Sequence, residues 1–241
     1  MEQDNIYNQL KKLLEDSGGK YNILEEQINV ELQVEFFELV NKLMKEKRPN
    51  EEVLADKSRL FDDNVNEEGK KMLLAELSST EDPKAYRIIE KFIETKQKGL
   101  YPWAILSLQH SRISLETHFL DEQQVFISTG LGGKGEKLRY FIVCKFKEGV
   151  EAQDVQKKVL QTEFEISFNT HNSAIEKISY FETYFSILGL IPIDVSINEV
   201  VKTAIKESNN FGGFIHDEFL VTNVKILKTT EIEGHFKKMG I

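Results

Sequence analysis

Apolar residues in the first 120 positions recur every three or four residues, and after about residue 137 they begin to alternate. The first spacing is that of helices with one buried face, the second that of strands. Ile6, Leu10, Leu13 and Leu14 predict a first helix that stops at Gly18-Gly19. Ile28, Leu32, Phe36, Leu39, Val40 and Leu43 form one stripe, so a second helix is expected over Ile23 to Lys47, ended by Arg48-Pro49. Glu67 to Leu77 is a shorter candidate, with Met72, Leu73, Leu74 and Leu77 facing inward. Asp82-Pro83 places a capping carboxylate ahead of a proline at a first helical position. Ile88, Ile89, Phe92 and Ile93 give that helix its apolar face, Gly99 breaks it, and Pro102-Trp103 opens another running to about Phe119.

Beyond residue 137 the pattern changes. Leu138, Tyr140, Ile142, Cys144 and Phe146 alternate, which predicts a strand over Lys137 to Phe146. Asp154 to about Phe168 reads as a helix with Val155, Val159, Leu160 and Phe164 inward. Ile175 to Phe181 and Tyr184 to Ile191 read as strands turning near Glu182-Thr183. Ser196-Ile197-Asn198-Glu199 has the form of a capping box, and Ile197, Val200, Val201, Ala204 and Ile205 continue the helix it opens. After Gly212-Gly213 a last strand is expected over Phe219 to Leu227, with Leu220, Val224 and Ile226 on one side. The tail beyond it, with Lys228, His235, Lys237 and Lys238, reads as a frayed basic end. The order β-α-β-β-α-β resembles the ferredoxin-like arrangement, an antiparallel sheet with two helices on one face. The helix pair from Asp82 to Phe119, with Trp-Ala-Ile-Leu-Ser-Leu in its second member, resembles a HEAT repeat. The expected fold is therefore α+β. A HEAT-like helical-hairpin array spans 1–120, a glycine-rich connection 121–136, and a ferredoxin-like domain 137–241.

Charge sharpens the division. Residues up to Gln123 carry −8 of the total −9, leaving −1 for the remainder. An acidic chain disfavours nucleic-acid binding through a basic surface, and the acidic first half favours a basic or amphipathic protein partner. The first residues, Met1 to Asn5, do not read as a signal peptide, and no apolar run is long enough to span a bilayer. With a single cysteine, Cys144, no intrachain disulfide is possible, so a cytoplasmic protein away from membranes is expected. Cys144 has no electropositive sequence neighbour and reads as buried. Five histidines, His110, His118, His171, His216 and His235, lack metal-ligand spacing, so neither a metal nor another cofactor is expected.

Gly130-Leu131-Gly132-Gly133-Lys134-Gly135 is the strongest local signal. Glycines let backbone N–H groups approach an anion, and Lys134 would add charge. Gly130, Gly132, Gly133, Lys134 and Gly135 are thus candidate phosphate- or nucleotide-binding residues. A strand follows the last glycine, however, where dinucleotide and P-loop sites need a helix. The plainer reading is a connection in which glycines supply positive φ. Gln109, His110, Arg112, Glu116 and His118 cluster on one helix, and Gln109, Arg112 and Glu116 are candidates for a partner surface. Arg112 and Glu116 are also spaced for an ordinary ion pair. His216-Asp217-Glu218 is placed in a loop before the last strand, beside Phe211 and Phe214, which tuck under the sheet or serve docking.

The run Trp103 to Tyr140 and the segment Phe211 to Leu227, together about a quarter of the chain, resemble a Bacteroides-type bacterial protein family. That family has no assigned activity, so the resemblance implies no catalytic residue. No acid–base or nucleophile constellation is evident. The sequence therefore points to a non-enzymatic protein-interaction or scaffold protein. A phosphate-binding protein, with or without an activity, is the alternative. A homodimer is compatible with an open sheet edge.

Overall fold

The computed structural model describes residues 21–120, 125–150 and 152–241. The helix expected over Ile6 to Leu14 lies outside the described residues. The chain is mixed α and β and divides into two units. One is Ile28–Phe126; the other is Ile127–Ile241 together with the described residues up to Gln27. The −8 of the first 123 residues is accordingly shared, −3 on residues 1–27 and −5 on 28–123.

The unit from Ile28 is helical. Helix α1 spans Val30–Lys45, α2 Asn50–Ala55, α3 Glu67–Ser78, α4 Pro83–Ile93 and α5 Tyr101–Leu120. Helix α1 starts seven residues later than its apolar stripe predicts, because the Asn29 side chain accepts from the Glu31 N–H and caps it there. Tyr21–Ile23 is instead a short strand, β1, and the following Leu24 N–H donates to the Ile127 carbonyl at 2.9 Å. Asn66 caps α3 through the Gly69 N–H, and Asp82 caps α4 through the Lys84 N–H, with Pro83 at its first position. Met72 faces outward at 50% exposure while Leu73, Leu74 and Leu77 are buried, since the last three share one face at i, i+1 and i+4 and Met72 falls beyond its edge. Helix α2 and the 3₁₀ turn Asp56–Phe61 have no periodic signature; Val53 and Leu60 anchor them. The Arg48 guanidinium ties this stretch to α3, with Asp56 at 2.9 Å and Glu76 at 3.0 Å. Beneath it Trp103 meets Phe36 edge-on and donates from Nε1 to the Lys71 carbonyl.

In the second unit, strand β2 ends at Ile127 (Val125–Ile127). Then come β3 (Gly133–Lys134), β4 (Lys137–Phe146), helix α6 (Asp154–Thr170), β5 (Ala174–Tyr180), β6 (Tyr184–Pro192), α7 (Ile197–Asn209), β7 (Ile215–Thr222) and α8 (Thr229–Met239). The antiparallel sheet runs β5-β6-β4-β7, with β3 beside the start of β4 on the β7 side. Phe141 lies opposite Leu188 on β6 and Thr222 on β7, which fixes the register of the centre.

Both faces of β4 are covered. Ile142, Cys144 and Phe146 pack with Phe185, Phe164, Phe168, Val201 and Ile205 under α6 and α7. Phe141 and Val143 pack on the other face against Leu131, Tyr184, Ile232 and Phe236. The tail beyond Leu227 is thus a helix that covers the sheet, not a frayed end. Its apolar face is only Ile232 and Phe236, four residues apart among lysines and glutamates, which gives too weak a period to read.

Other boundaries shift for similar reasons. Strand β7 begins at Ile215 and ends at Thr222, so His216, Asp217 and Glu218 lie in it rather than before it. Val224 and Ile226 lie beyond the strand and are about half exposed. Val155 is 71% exposed at the first turn of α6. Ser196 occupies the N-cap of α7 without a side-chain cap hydrogen bond.

Candidate functional site

The glycine-rich segment folds back on its own unit. Gly133 and Lys134 pair with Leu138 and Lys137, so Gly135-Glu136 is a two-residue hairpin turn, with Gly135 at φ +58°. The Leu131 N–H donates to the Asn223 carbonyl at 2.9 Å, and the Gly132 N–H to the Thr129 carbonyl at 3.2 Å. The Gly135 N–H donates to the Glu25 carboxylate at 2.8 Å. Three N–H groups that would have to face an anion therefore face two carbonyls and a carboxylate. A Cβ at Gly130 would lie 1.8 Å from the Val224 carbonyl oxygen. One at Gly132, where φ is +67°, would lie 2.4 Å from that of Glu25. Close backbone approach explains both glycines without a ligand. Lys134 is exposed at the hairpin's edge.

Sequence reasoning missed the charged pair beneath this loop. Arg139 reaches across the sheet to Glu176 with two hydrogen bonds of 2.6 and 2.9 Å. Its third nitrogen donates to the Leu131 carbonyl at 2.7 Å and, at 3.3 Å, to that of Glu25. The Arg139 side chain is 12% exposed and that of Glu176 28%. The guanidinium holds the Glu176 carboxyl below the ordinary carboxylate range. Partners 37 residues apart in sequence leave no local spacing that could reveal them.

On α5, Arg112 pairs with Glu116 at 2.8 Å on the exposed side, and Gln109 is partly buried. His110 departs from this cluster. It packs edge-on against the Phe36 and Phe37 rings and donates from Nδ1 to the Ser78 carbonyl at 3.0 Å. Burial lowers its pKa, disfavouring the charged ring. His118 is exposed, 3.5 Å from Glu81. The two histidines do not meet.

Cys144 is fully buried in the core under α6 and α7, and burial pushes its thiol pKa up. It is expected to resist a disulfide-exchange reagent in the native protein and to react at once in denaturant. Rapid labelling of the folded protein would contradict this packing. Phe214 is buried and Phe211 is 63% exposed, so one ring tucks under the sheet and the other does not. Among the described residues no group of His, Cys, Asp and Glu is arranged to hold a metal ion, and no helix is long and apolar enough to cross a membrane.

Two concave surfaces stand out. A trough of about 510 Å³ runs between α6 and β5, an edge strand of the sheet. It is largely polar, and Gln161 and Glu165, exposed on its α6 side, bond to each other. A second cleft of about 280 Å³ lies beside α8, on the face of β5 and β6 opposite α6 and α7. Ser179 and Ser186, a cross-strand pair, form its floor with Leu188. Phe181 stacks on Tyr184 at 4.5 Å at one end; Ile226, Leu227 and Ile232 wall the other. Phe181 and Ile226 are 48% and 52% exposed. No sequence motif announces this cleft, because its lining comes from three strands and the lead-in to a helix that the periodicity does not reveal.

Comparison with known protein families finds no match, and comparison with curated proteins finds none either. Among solved structures, the chain is similar to a REP-associated tyrosine transposase bound to a REP hairpin, with a TM-score of 0.34 and 9% identity over 44% of this chain and 70% of that one. A likeness at that score assigns neither fold nor activity.

Proposed function

We propose that this chain is a non-enzymatic protein-interaction protein that docks a partner on the sheet face beside α8. The observation that carries the reading is the apolar lining of the 280 Å³ cleft, in which Phe181 and Ile226 are half exposed. Contiguous exposed apolar surface rimmed by polar groups marks interaction sites more than scattered exposed residues do. The glycine loop, by contrast, has N–H groups engaged with Asn223, Thr129 and Glu25, which weighs against a phosphate there.

The fold fits this reading. The strand order β5-β6-β4-β7, with α6 and α7 on one face, supports a ferredoxin-like unit, and the α4–α5 pair supports a HEAT-like hairpin in the helical one. Both architectures host many functions, so the reading rests on the cleft and not on the fold.

Affinity capture from the native host tests it, with the chain and a Phe181→Asp, Ile226→Asp double variant side by side. A protein recovered in constant ratio with the chain is expected to fall at least about tenfold with the variant. Both positions are half exposed, so the variant's melting temperature should stay close to that of the parent. Equal recovery with both proteins would overturn the reading.

A further inference from the structure

We infer that the cleft beside α8 takes the apolar face of an acidic amphipathic helix from a partner protein. The inference rests on the interaction reading above and names the chemistry of the occupant.

Three features select it. First, the lining contains Lys177 and Lys228 and no aspartate or glutamate. Lys177 has no ion-pair partner among the described residues; Lys228 has none within 4 Å, although the Glu231 carboxylate, which pairs with Lys225 and accepts from the Lys228 N–H, acts on it at longer range. An occupant with carboxylates flanking its apolar stripe would meet both cations.

Second, this face of the sheet is incompletely layered. Helix α8 rests on Phe141, Val143 and Tyr184, while the β5–β6 part carries the small pair Ser179 and Ser186 at the base of the cleft, Ser186 being 6% exposed. A helix lying alongside α8 would complete a helical layer on the second face. The two serines would let its backbone approach, and the Phe181–Tyr184 stack would close one end.

Third, a second copy of the chain fits poorly. Two such faces packed together would gather four lysines with no lining carboxylate between them.

The test uses the full chain and three fluorescein-labelled model helices that share one leucine face. Their polar faces carry glutamate, glutamine or lysine. Anisotropy titrations at low salt are expected to show saturable binding of the glutamate helix. The glutamine helix should bind about tenfold more weakly and the lysine helix more weakly still, with the differences shrinking as salt rises. Lys177→Glu with Lys228→Glu should reverse the order, and Phe181→Asp should weaken all three. Both lysines are exposed, and unchanged thermal melting would show that the variants fold.

Glutamate and lysine helices binding alike, or no effect of the two charge reversals, would overturn the inference. So would dimerisation lost in Phe181→Asp, measured by sedimentation; that result would leave the interaction reading standing with a second copy as occupant. The interaction reading fails separately, when Phe181→Asp, Ile226→Asp changes no captured protein.

Discussion

Replacing Gly130 by alanine is expected to destabilise the sheet-containing unit by about 2–4 kcal/mol. The new methyl group would stand 1.8 Å from the Val224 carbonyl oxygen, so backbone must move. The movement would also cost the Leu131 N–H bond to Asn223, which ties the glycine segment to the chain beyond β7. Gly132→Ala should fall in the same range of about 2–4 kcal/mol, because a left-handed φ is added to a 2.4 Å approach to Glu25. Gly135 separates conformation from space. Its φ is +58°, yet nothing lies within 4 Å of a Cβ there. Gly135→Ala should therefore cost about 1 kcal/mol, and Gly135→Asn less. Urea unfolding of the four variants measures the series. If all three alanine variants lose the same small amount, close approach is not why Gly130 and Gly132 are glycines.

The second large effect is expected at Arg139. Arg139→Met keeps the aliphatic stem but leaves the Glu176 carboxylate and the Leu131 carbonyl without their donor. The expected loss is about 2–4 kcal/mol, moderated because Glu176 keeps 28% of its side-chain exposure. Glu176→Gln should cost less, since one oxygen still accepts from the guanidinium.

The pair also carries a pH signature. Arg139 depresses the Glu176 pKa in the folded state, so the unfolded chain binds the proton more readily. The resulting stabilisation is complete above the unfolded carboxylate pKa and is lost as pH falls through the lower folded value. Urea midpoints measured from neutral pH down into the acid range should therefore fall more steeply for the parent than for Glu176→Gln. Parallel acid limbs would mean that the pair adds no net pH-dependent stability.

Elements with a strong local signature are legible in the sequence. Strands β4, β5 and β6 stand within a residue of their predicted bounds; in β4 the alternation from Leu138 to Phe146 has one physical reading, and β5 and β6 are apolar runs bounded by a turn at Glu182-Thr183. Helix α4 is equally plain: Asp82 and Pro83 act on the backbone within one turn. Where an apolar residue near a helix has another use, the pattern misleads. Ile23 extends the stripe of α1 in the sequence but lies in β1, and Met72 sits among buried leucines yet faces outward.

The candidate site was less legible than the fold. The glycines of 130–135 announced an unusual backbone but not its reason. The same letters serve an anion or a neighbouring carbonyl, and only the approach of Val224 and Glu25 distinguishes the two. His110 reads in the sequence as one of a polar cluster with Gln109, Arg112, Glu116 and His118, but Phe36, Phe37 and Ser78 from other helices enclose it.

Local pattern alone places the strongly periodic helices and strands, the change of period near residue 137, and Cys144 in a buried strand. These follow from side-chain periodicity and capping, which act within a few residues. Long-range pairing alone brings Arg139 to Glu176, lays α8 over the second face of the sheet, and sets Phe181, Ile226, Lys177 and Lys228 around one cleft. Each of these joins residues tens of positions apart. Such meetings are set by strand order and register, and no spacing along the chain encodes them.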